Sequence, residues 1–447
     1  VPTDKGTNTG LKVGTLVAGM VPGVDSIDDM ALLRHGGTKK VYKGCLAPST
    51  QGSFLRSVTF GHVKQLDAVA SRFLTSLALT APLFGGTSGG FVFVGVDDTI
   101  IEVHGYAKQG SGYGYSGVRG LNAVLATASR EDTAPVIIGQ RLRKGAANSA
   151  GGANKFVTEA LGTLKRTGTA GPVVCRFDSA YYGYPAVSAA LAGGAEVSVT
   201  VRRDKAVKHA IAQIPEDAWT KIKYTNAVYD EDTHTWVSVA EVAEIEFSAF
   251  SSRKKAEQVP GRLVVRRIPE LNPKATEGQP TLFDTHRFHA FFTTIDAATL
   301  DAVAADKVHR KHARIEQVNA DLKDSALAHL PSGKFAANSA WLLCAVMAYN
   351  LSRTSGSSPP GSSPRPARER SGPGSSLSRL GSPPAPEELC STCQKLGRSK
   401  SDGSASSPPP THHYKSPNTR QPSRTGATQE TKTWNTTGSE ACPLCSR

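Results

Sequence analysis

Three acids stand where they could do chemistry: Asp97 in "VGVDDT", Asp178 in "VCRFDS" and Glu316 in "HRKHARIEQVNADLKD". The first two follow short apolar runs rich in β-branched residues, "FVFVGV" (91–96) and "PVVCRF" (172–177), which read as buried strands. A carboxylate at the C-terminal end of such a strand reaches the crevice beyond an open α/β sheet. Converging carboxylates repel one another unless a cation neutralises them. An all-oxygen ligand set suits Mg2+ or Mn2+. Two such ions roughly 3.5–4 Å apart would activate a water or sugar hydroxyl and stabilise the leaving oxygen in phosphodiester chemistry. Taken singly, each acid reads more simply as a strand-terminal cap or a surface group. Together, in a basic chain, they point to one metal site.

Glu316 lies among bases. At about 100° per residue, His309, His312 and Lys323 fall within roughly 40° of it, while Val308, Ile315 and Leu322 recur every seven residues. The spacing predicts one amphipathic helix with an apolar seam and a polar ridge. A solvated face with paired charges is the plain reading of that ridge. In the functional reading, His309, His312 and Lys323 meet DNA phosphates while Glu316 holds a metal.

Other elements must position these residues. Residues 11–83 read as helical. "SIDDMALLRHG" (26–36) begins with a Ser cap, Ser49 or Thr50 can cap the next helix, and Val63, Leu66, Val69, Phe73 and Leu77 mark another. With Arg56, Lys64 and Arg72 outside, these helices suit a helix-turn-helix DNA reader or an ordinary bundle. From Gly90 strands and helices alternate, as in an α/β domain. "DDT" is expected to separate strand 91–96 from an alternating strand at 100–106. Residues 204–298 read as a β-rich insertion with one early helix. "AANSAWLLCAVMAYNL" (336–351) reads as a buried helix. Beyond Arg353 there is no Val, Ile, Phe or Met; such a segment cannot offset chain entropy by burial. A disordered Ser/Pro-rich tail is expected over 354–447, with the texture of an out-of-frame translation.

Composition agrees with a nucleic-acid partner. The chain has 447 residues and a net charge of +14, which favours a polyanion. No apolar run approaches the roughly 20 residues of a membrane span. The polar "VPTDKGTNTG" lacks a signal-peptide core, so a cytoplasmic protein is the default expectation. "KQGSGYGYSG" (108–117) lacks the Lys-Ser/Thr ending of a phosphate loop. A mobile loop is its plain reading, and bases stacked on Tyr113 and Tyr115 its functional one. Cys390/Cys393 and Cys442/Cys445 form two Cys-x2-Cys pairs, 48 residues apart, too far for a usual zinc site. No zinc is expected there.

The segments "VDDT", "YAKQGSGYGYSGVRGLNAVLA", "RLRKGAANSAGGA", "FDSAYYG" and "HRKHARIEQVNADLKDSALAHLPSGKFAANSAWLLCAVMAYNLSR" resemble insertion-sequence transposases of the DDE superfamily, DDE domain group 1. The resemblance covers roughly residues 11–353. It implies an RNase H-like core (84–353) interrupted by the insertion at about 204–298, and a helical DNA-binding region at 1–83. It implies binding to terminal inverted repeats, metal-dependent cleavage and strand transfer to target DNA, and self-association in a synaptic complex. No membrane and no small-molecule cofactor are implied. In the wider cut-and-paste group the last acid sits in a Tyr-x2-Arg-x3-Glu-x6-Lys signature. Mapped here, the acid is Glu316 and the lysine Lys323, while His309 and His312 occupy the tyrosine and arginine places, with Arg310 and Arg314 beside them as further DNA contacts. The family's first acid precedes a Thr by two residues, which selects Asp97 over Asp98. A second acid often stands two residues before it; here that place is Gly95. A nuclease on the same fold and a catalytically dead DNA-binding remnant are the rival readings.

Overall fold

The computed structural model describes residues 6–35, 42, 44–85, 90–230, 235–269 and 286–354. The expected tail, with both Cys-x2-Cys pairs, lies outside the described residues from 355 onward.

The N-terminal region holds α1 (Thr9–Met20), a 3-10 turn (Asp28–Arg34), α2 (Pro48–Ser57) and α3 (Phe60–Thr80). Ser26 Oγ accepts from the Asp29 N–H at 3.2 Å, but the segment winds as 3-10 from Asp28 and its N-cap position is Ile27, without a side-chain cap. Neither Ser49 nor Thr50 caps α2: the helix starts on Pro48 after an uncapping Ala47. Proline fits there because its φ is already helical and its missing N–H would have had no partner. Thr59 starts α3, its N–H donating to His62 Nδ1 at 3.1 Å.

A ten-stranded mixed sheet follows. Its strands are β1 (Val92–Glu102), β2 (Gly112–Tyr113), β3 (Arg119–Ser129), β4 (Val136–Lys144), β5 (Val173–Phe177), β6 (Ala195–Thr200), β7 (Thr220–Asp230), β8 (Thr235–Ala249), β9 (Val259–Pro269) and β10 (His286–Thr293). The core runs β4-β3-β1-β5-β6, antiparallel across β4, β3 and β1, then parallel through β5 and β6. That is the order of an RNase H-like core. The four strands β7–β10 are the β-rich insertion. They prolong the same sheet, because β10 pairs with β6 (Phe291 opposite Thr200).

One expectation about β1 fails. "DDT" does not separate two strands; β1 is continuous over eleven residues. The antiparallel partner β3 carries the ladder from Phe93 through Glu102, with Asp97 opposite Leu125. Backbone pairing on that side keeps the polar step extended.

The two faces of the sheet are covered differently. Val92, Val94 and Val96 pack with Phe156 and Leu164 of α4 (Ala153–Arg166) and Val187 of α5 (Tyr184–Ala192). The other face receives α7 (Ala302–Arg310), α8 (Arg314–Lys323) and α9 (Phe335–Thr354), and α6 (Lys205–Ala212) opens the insertion. Every residue of α9 from Ala337 to Asn350 is buried. Its polar groups are satisfied: the Trp341 indole N–H donates to the Ala326 carbonyl at 2.6 Å, and the Asn350 side chain brackets both backbone groups of Ile137 at 2.8 Å. Leu16 of α1, Leu55 of α2 and Ala70 of α3 join the same hydrophobic cluster as α9. The N-terminal helices therefore share a core with the sheet.

Candidate active site

Parallel pairing of β1 with β5 ends at Val96 opposite Phe177. The next residue on each chain is an acid, so Asp97 and Asp178 emerge side by side at the same level. Asp178 leaves the sheet at once and caps a 3-10 turn, its Oδ1 accepting from the Ala180 N–H at 3.1 Å. Asp97 stays within β1.

Strand alternation decides which way each side chain turns. Asp97 shares a face with Phe93 and Gly95, the face covered by α8. There Asn319 Nδ2 donates to Asp97 Oδ2 at 2.9 Å, and the Asp98 N–H donates to Asp97 Oδ1 at 2.8 Å. Glu316 lies on α8 one turn before Asn319 and is exposed. Burial pushes Asp97 up from 3.8 to about 7, and the charges of Asp178, Asp98 and Glu316 push the same way. Burial also raises Asp178, with Asp98 adding to the effect and Arg202 opposing it. The fold thus brings the three expected acids into one electrostatic neighbourhood. Among the described residues, no group of three His, Cys, Asp or Glu side chains is already drawn close enough to hold a metal ion.

Asp98 faces the other way and is 5% exposed. It pairs with Arg143 at 3.3 Å, accepts from Asn122 Nδ2 and receives the Tyr181 hydroxyl at 3.3 Å. Arg143 in turn donates to Asn122 Oδ1 at 2.9 Å. Of two consecutive aspartates, one is neutralised by an arginine inside the fold. The other is left beside two more carboxylates.

The basic ridge is arranged otherwise than one continuous helix would have it. A 3-10 turn over Lys311–Ala313 separates α7 from α8. His309 turns into the sheet. Its ring stacks on Phe291 with centroids 4.1 Å apart, and its nitrogens meet Ser198 Oγ at 2.8 Å and Thr200 Oγ1 at 3.0 Å. Burial, with the charges of His312, Arg176 and Arg266, keeps it well below its usual value and hence neutral. His312 packs over Gly95: a Cβ there would come within 3.5 Å of His312 Nδ1, a buried atom with no hydrogen-bond partner. Burial and Arg176 lower His312 to about 3. Arg310 holds the buried Asp306 at 2.9 Å. Arg314 donates to the carbonyls of Arg130 and Glu131 at 3.1 and 2.9 Å. Lys323, the last of the five expected phosphate contacts, faces a cleft of about 330 Å³ beside Thr99 and Tyr115.

Several residues that shape the site escaped the sequence reading. Asn319, the donor to Asp97, is legible afterwards as the residue one helical turn beyond Glu316. Arg176, two residues before Asp178, is 3% exposed. It lies 4.6 Å over the Phe93 ring and donates to the Val308 carbonyl at 3.0 Å, tying the end of α7 to β5. Burial and Arg314 lower it to about 10. Arg143 and Asn122 carry no sequence signal, because their partner is set by strand pairing.

The sequence profile of the Transposase DDE domain family matches residues 89–351. That span runs from just before β1 to the end of the buried α9 and contains all three acids. The chain belongs to that family. Family members generally use divalent metal ions. Among curated proteins nothing matches. Among solved structures, a piggyBac transposase in a synaptic complex with hairpin DNA is similar at 11% identity and a TM-score of 0.38. The similarity covers 79% of this chain and 66% of that one. No helix among the described residues is long and apolar enough to cross a membrane.

Proposed function

We propose that this chain is a DDE transposase: it binds the terminal inverted repeats of its own element, cleaves DNA beside them and joins the 3′ hydroxyls to target DNA. Asp97, Asp178 and Glu316 are the catalytic acids in this reading. The observation that carries it is the uncompensated charge at Asp97. A carboxylate raised to about 7 beside two further acids is a site short of positive charge, and an all-carboxylate oxygen set suits Mg2+ or Mn2+, held as two ions. Bound there, the cations would lower the pKa of an attacking water or hydroxyl and offset charge on the leaving oxygen. The chain's own contribution is positional. Asn319 holds Asp97 through one oxygen, Arg176 anchors the end of α7, and Asp98 is withdrawn into its pairing with Arg143.

DNA reaches this site across a basic surface. Arg56, Lys64 and Arg72 are exposed on α2 and α3 and are the proposed end-reading surface, with Lys323 at the site itself. His309, His312, Arg310 and Arg314 are better assigned to holding α7 and α8 in place. The 1–83, 84–353 and 204–298 divisions remain useful for function, though the first two share a core. Synapsis of two ends implies a homo-oligomer, acting where the chromosome is, in the cytoplasm.

The test is cleavage and joining of duplexes carrying the repeats that flank the reading frame, with Mg2+ or Mn2+. Asp97→Ala, Asp178→Ala and Glu316→Gln should each abolish cleavage while leaving DNA binding intact, and pairs should be no worse than singles, because the acids act as a unit. Near-normal cleavage by Glu316→Gln would sink the assignment. Cleavage without joining would make the protein a nuclease on this fold.

A further inference from the structure

The helix that leads to Glu316 is built onto the β-rich insertion. α7 lays Ala302, Val303 and Ala305 against an apolar patch drawn from β7–β10, with Val242, Val264 and Phe291 among its members. Arg262 of β9 fastens the approach to α7, donating through Nε to the Ile295 carbonyl at 2.8 Å and through Nη2 to the Leu300 carbonyl. Asp301 caps the helix, accepting from the Ala304 N–H at 2.7 Å. The 3-10 turn at Lys311–Ala313 then joins α7 to α8, which carries Glu316 in its first turn.

A buried acid stands in the interface between α7 and the insertion. Asp306 is 1% exposed. Its Oδ1 accepts from Arg266 Nη1 of β9 at 2.7 Å, and its Oδ2 accepts from Arg310 Nε, one turn further along α7, at 2.9 Å. Val264 and Arg266 alternate onto the same face of β9, so the ion pair adjoins the apolar patch. A buried ion pair contributes little net stability, because desolvation offsets most of the attraction; its best-attested use is to fix register. The apolar part of this interface does that poorly. Layers lock where large and small side chains interdigitate, and Ala302, Val303 and Ala305 are all small. Sliding α7 along such a surface changes its apolar contacts little, but takes the carboxylate away from Arg266. His309, three residues on, adds a second polar contact on the same side through Ser198 and Thr200.

We propose that Asp306 is a positioning residue for Glu316: its pairing with Arg266 fixes the register of α7 on the β-rich insertion, and through the turn at Lys311–Ala313 the insertion sets where Glu316 stands against Asp97 and Asp178. Beyond Glu316, the Asn319–Asp97 hydrogen bond at 2.9 Å ties α8 to β1. Glu316 lies between these two attachments, so an error in α7 falls on it. A catalytic constellation must be held to within about 0.5 Å, and a misplacement of about 1 Å can cost a hundredfold in rate. The proposal rests on the transposase reading for what Glu316 does, but part of its test needs neither DNA nor turnover.

The experiment compares the full chain as wild type, Asp306→Asn, Arg266→Lys and the apolar pair Asp306→Leu/Arg266→Met. Apolar replacement of a buried ion pair often leaves stability unchanged or improved, so the apolar pair should melt close to wild type. It should nevertheless cleave element ends on the order of ten- to a hundredfold more slowly at saturating DNA, with KM for the DNA unchanged. Titration with Mn2+ alone, followed by electron paramagnetic resonance, should show weaker binding, and hydrogen exchange over residues 314–323 should quicken. Asp306→Asn should show the same losses at a temperature where it is folded. Arg266→Lys, which keeps the pair, should retain most of the rate and of the Mn2+ affinity. If the apolar pair does not fold, these two single variants decide by the same readings. Wild-type rate and Mn2+ affinity in the apolar pair overturn the proposal and leave the ion pair a packing feature. So does a loss in Asp306→Asn that merely tracks its unfolded fraction. If wild type neither binds Mn2+ nor cleaves, the transposase reading fails, and exchange over residues 314–323 still decides whether Asp306 holds α8.

Discussion

Asp97→Asn should stabilise the metal-free protein, and by an amount that depends on pH. The side chain is raised from 3.8 to about 7 by burial first and by Asp178, Asp98 and Glu316 after it. A raised carboxylate binds its proton more tightly in the folded chain than in the unfolded one. Its contribution to stability is therefore whole below about pH 4 and is lost as the pH rises through about 7. A shift of about 3 units at 1.36 kcal/mol per unit makes the ionisation cost about 4 kcal/mol above neutrality. Asparagine mimics the protonated form but keeps one acceptor oxygen for two donors, Asn319 Nδ2 and the Asp98 N–H. That loss returns about 1 kcal/mol, leaving a net gain of about 3 kcal/mol at pH 8 and close to none at pH 4. The assay is chemical denaturation of both proteins in chelator at pH 4, 6 and 8, comparing midpoints at equal slope. Mg2+ or Mn2+ should narrow the gap at pH 8 by binding the folded wild type. Wild type equal to or more stable than Asp97→Asn at pH 8 without metal would refute the picture of an uncompensated carboxylate.

Arg143→Ala should be severely destabilising, about 3–5 kcal/mol in the same denaturation assay, because it strands Asp98 as a buried charge. Trp341→Ala should cost about 3–5 kcal/mol by leaving a cavity in the centre of α9, and removal of residues 1–83 should unfold the chain rather than only blunt end preference, as circular dichroism would show. Lys323→Ala should reduce the log–log salt slope of DNA binding by about 1. His309→Ala should leave that slope unchanged and lower the melting temperature instead, since the ring is spent on Phe291, Ser198 and Thr200.

Much of the local structure could be read from the residues alone. Alternation and apolar runs mark β3, β4, β5 and β6, helical spacing marks α3 and α4, and a largely apolar stretch broken by Asn338, Ser339 and Asn350 marks the buried α9. These signals are local because they record which side of an element meets water. The three acids were legible in the same way, each by its place after a strand or on a helix. What sequence could not decide was partnership. Whether "DDT" ends a strand depends on β3, which lies more than twenty residues further along the chain and continues the ladder past the last β5 pair. Asp97 and Asp98 look alike in sequence, and resemblance to a family was needed to choose. In the structure they differ because strand alternation sends one toward Asn319 and the other toward Arg143. The histidines are placed by packing. The wheel assumes 3.6 residues per turn from His309 to Lys323, and the 3-10 turn over Lys311–Ala313 shifts His309 by about 60°, only from roughly 20° on one side of Glu316 to roughly 40° on the other. What takes its ring away from the acids is the stacking on Phe291 and the contacts with Ser198 and Thr200, while His312 packs over Gly95.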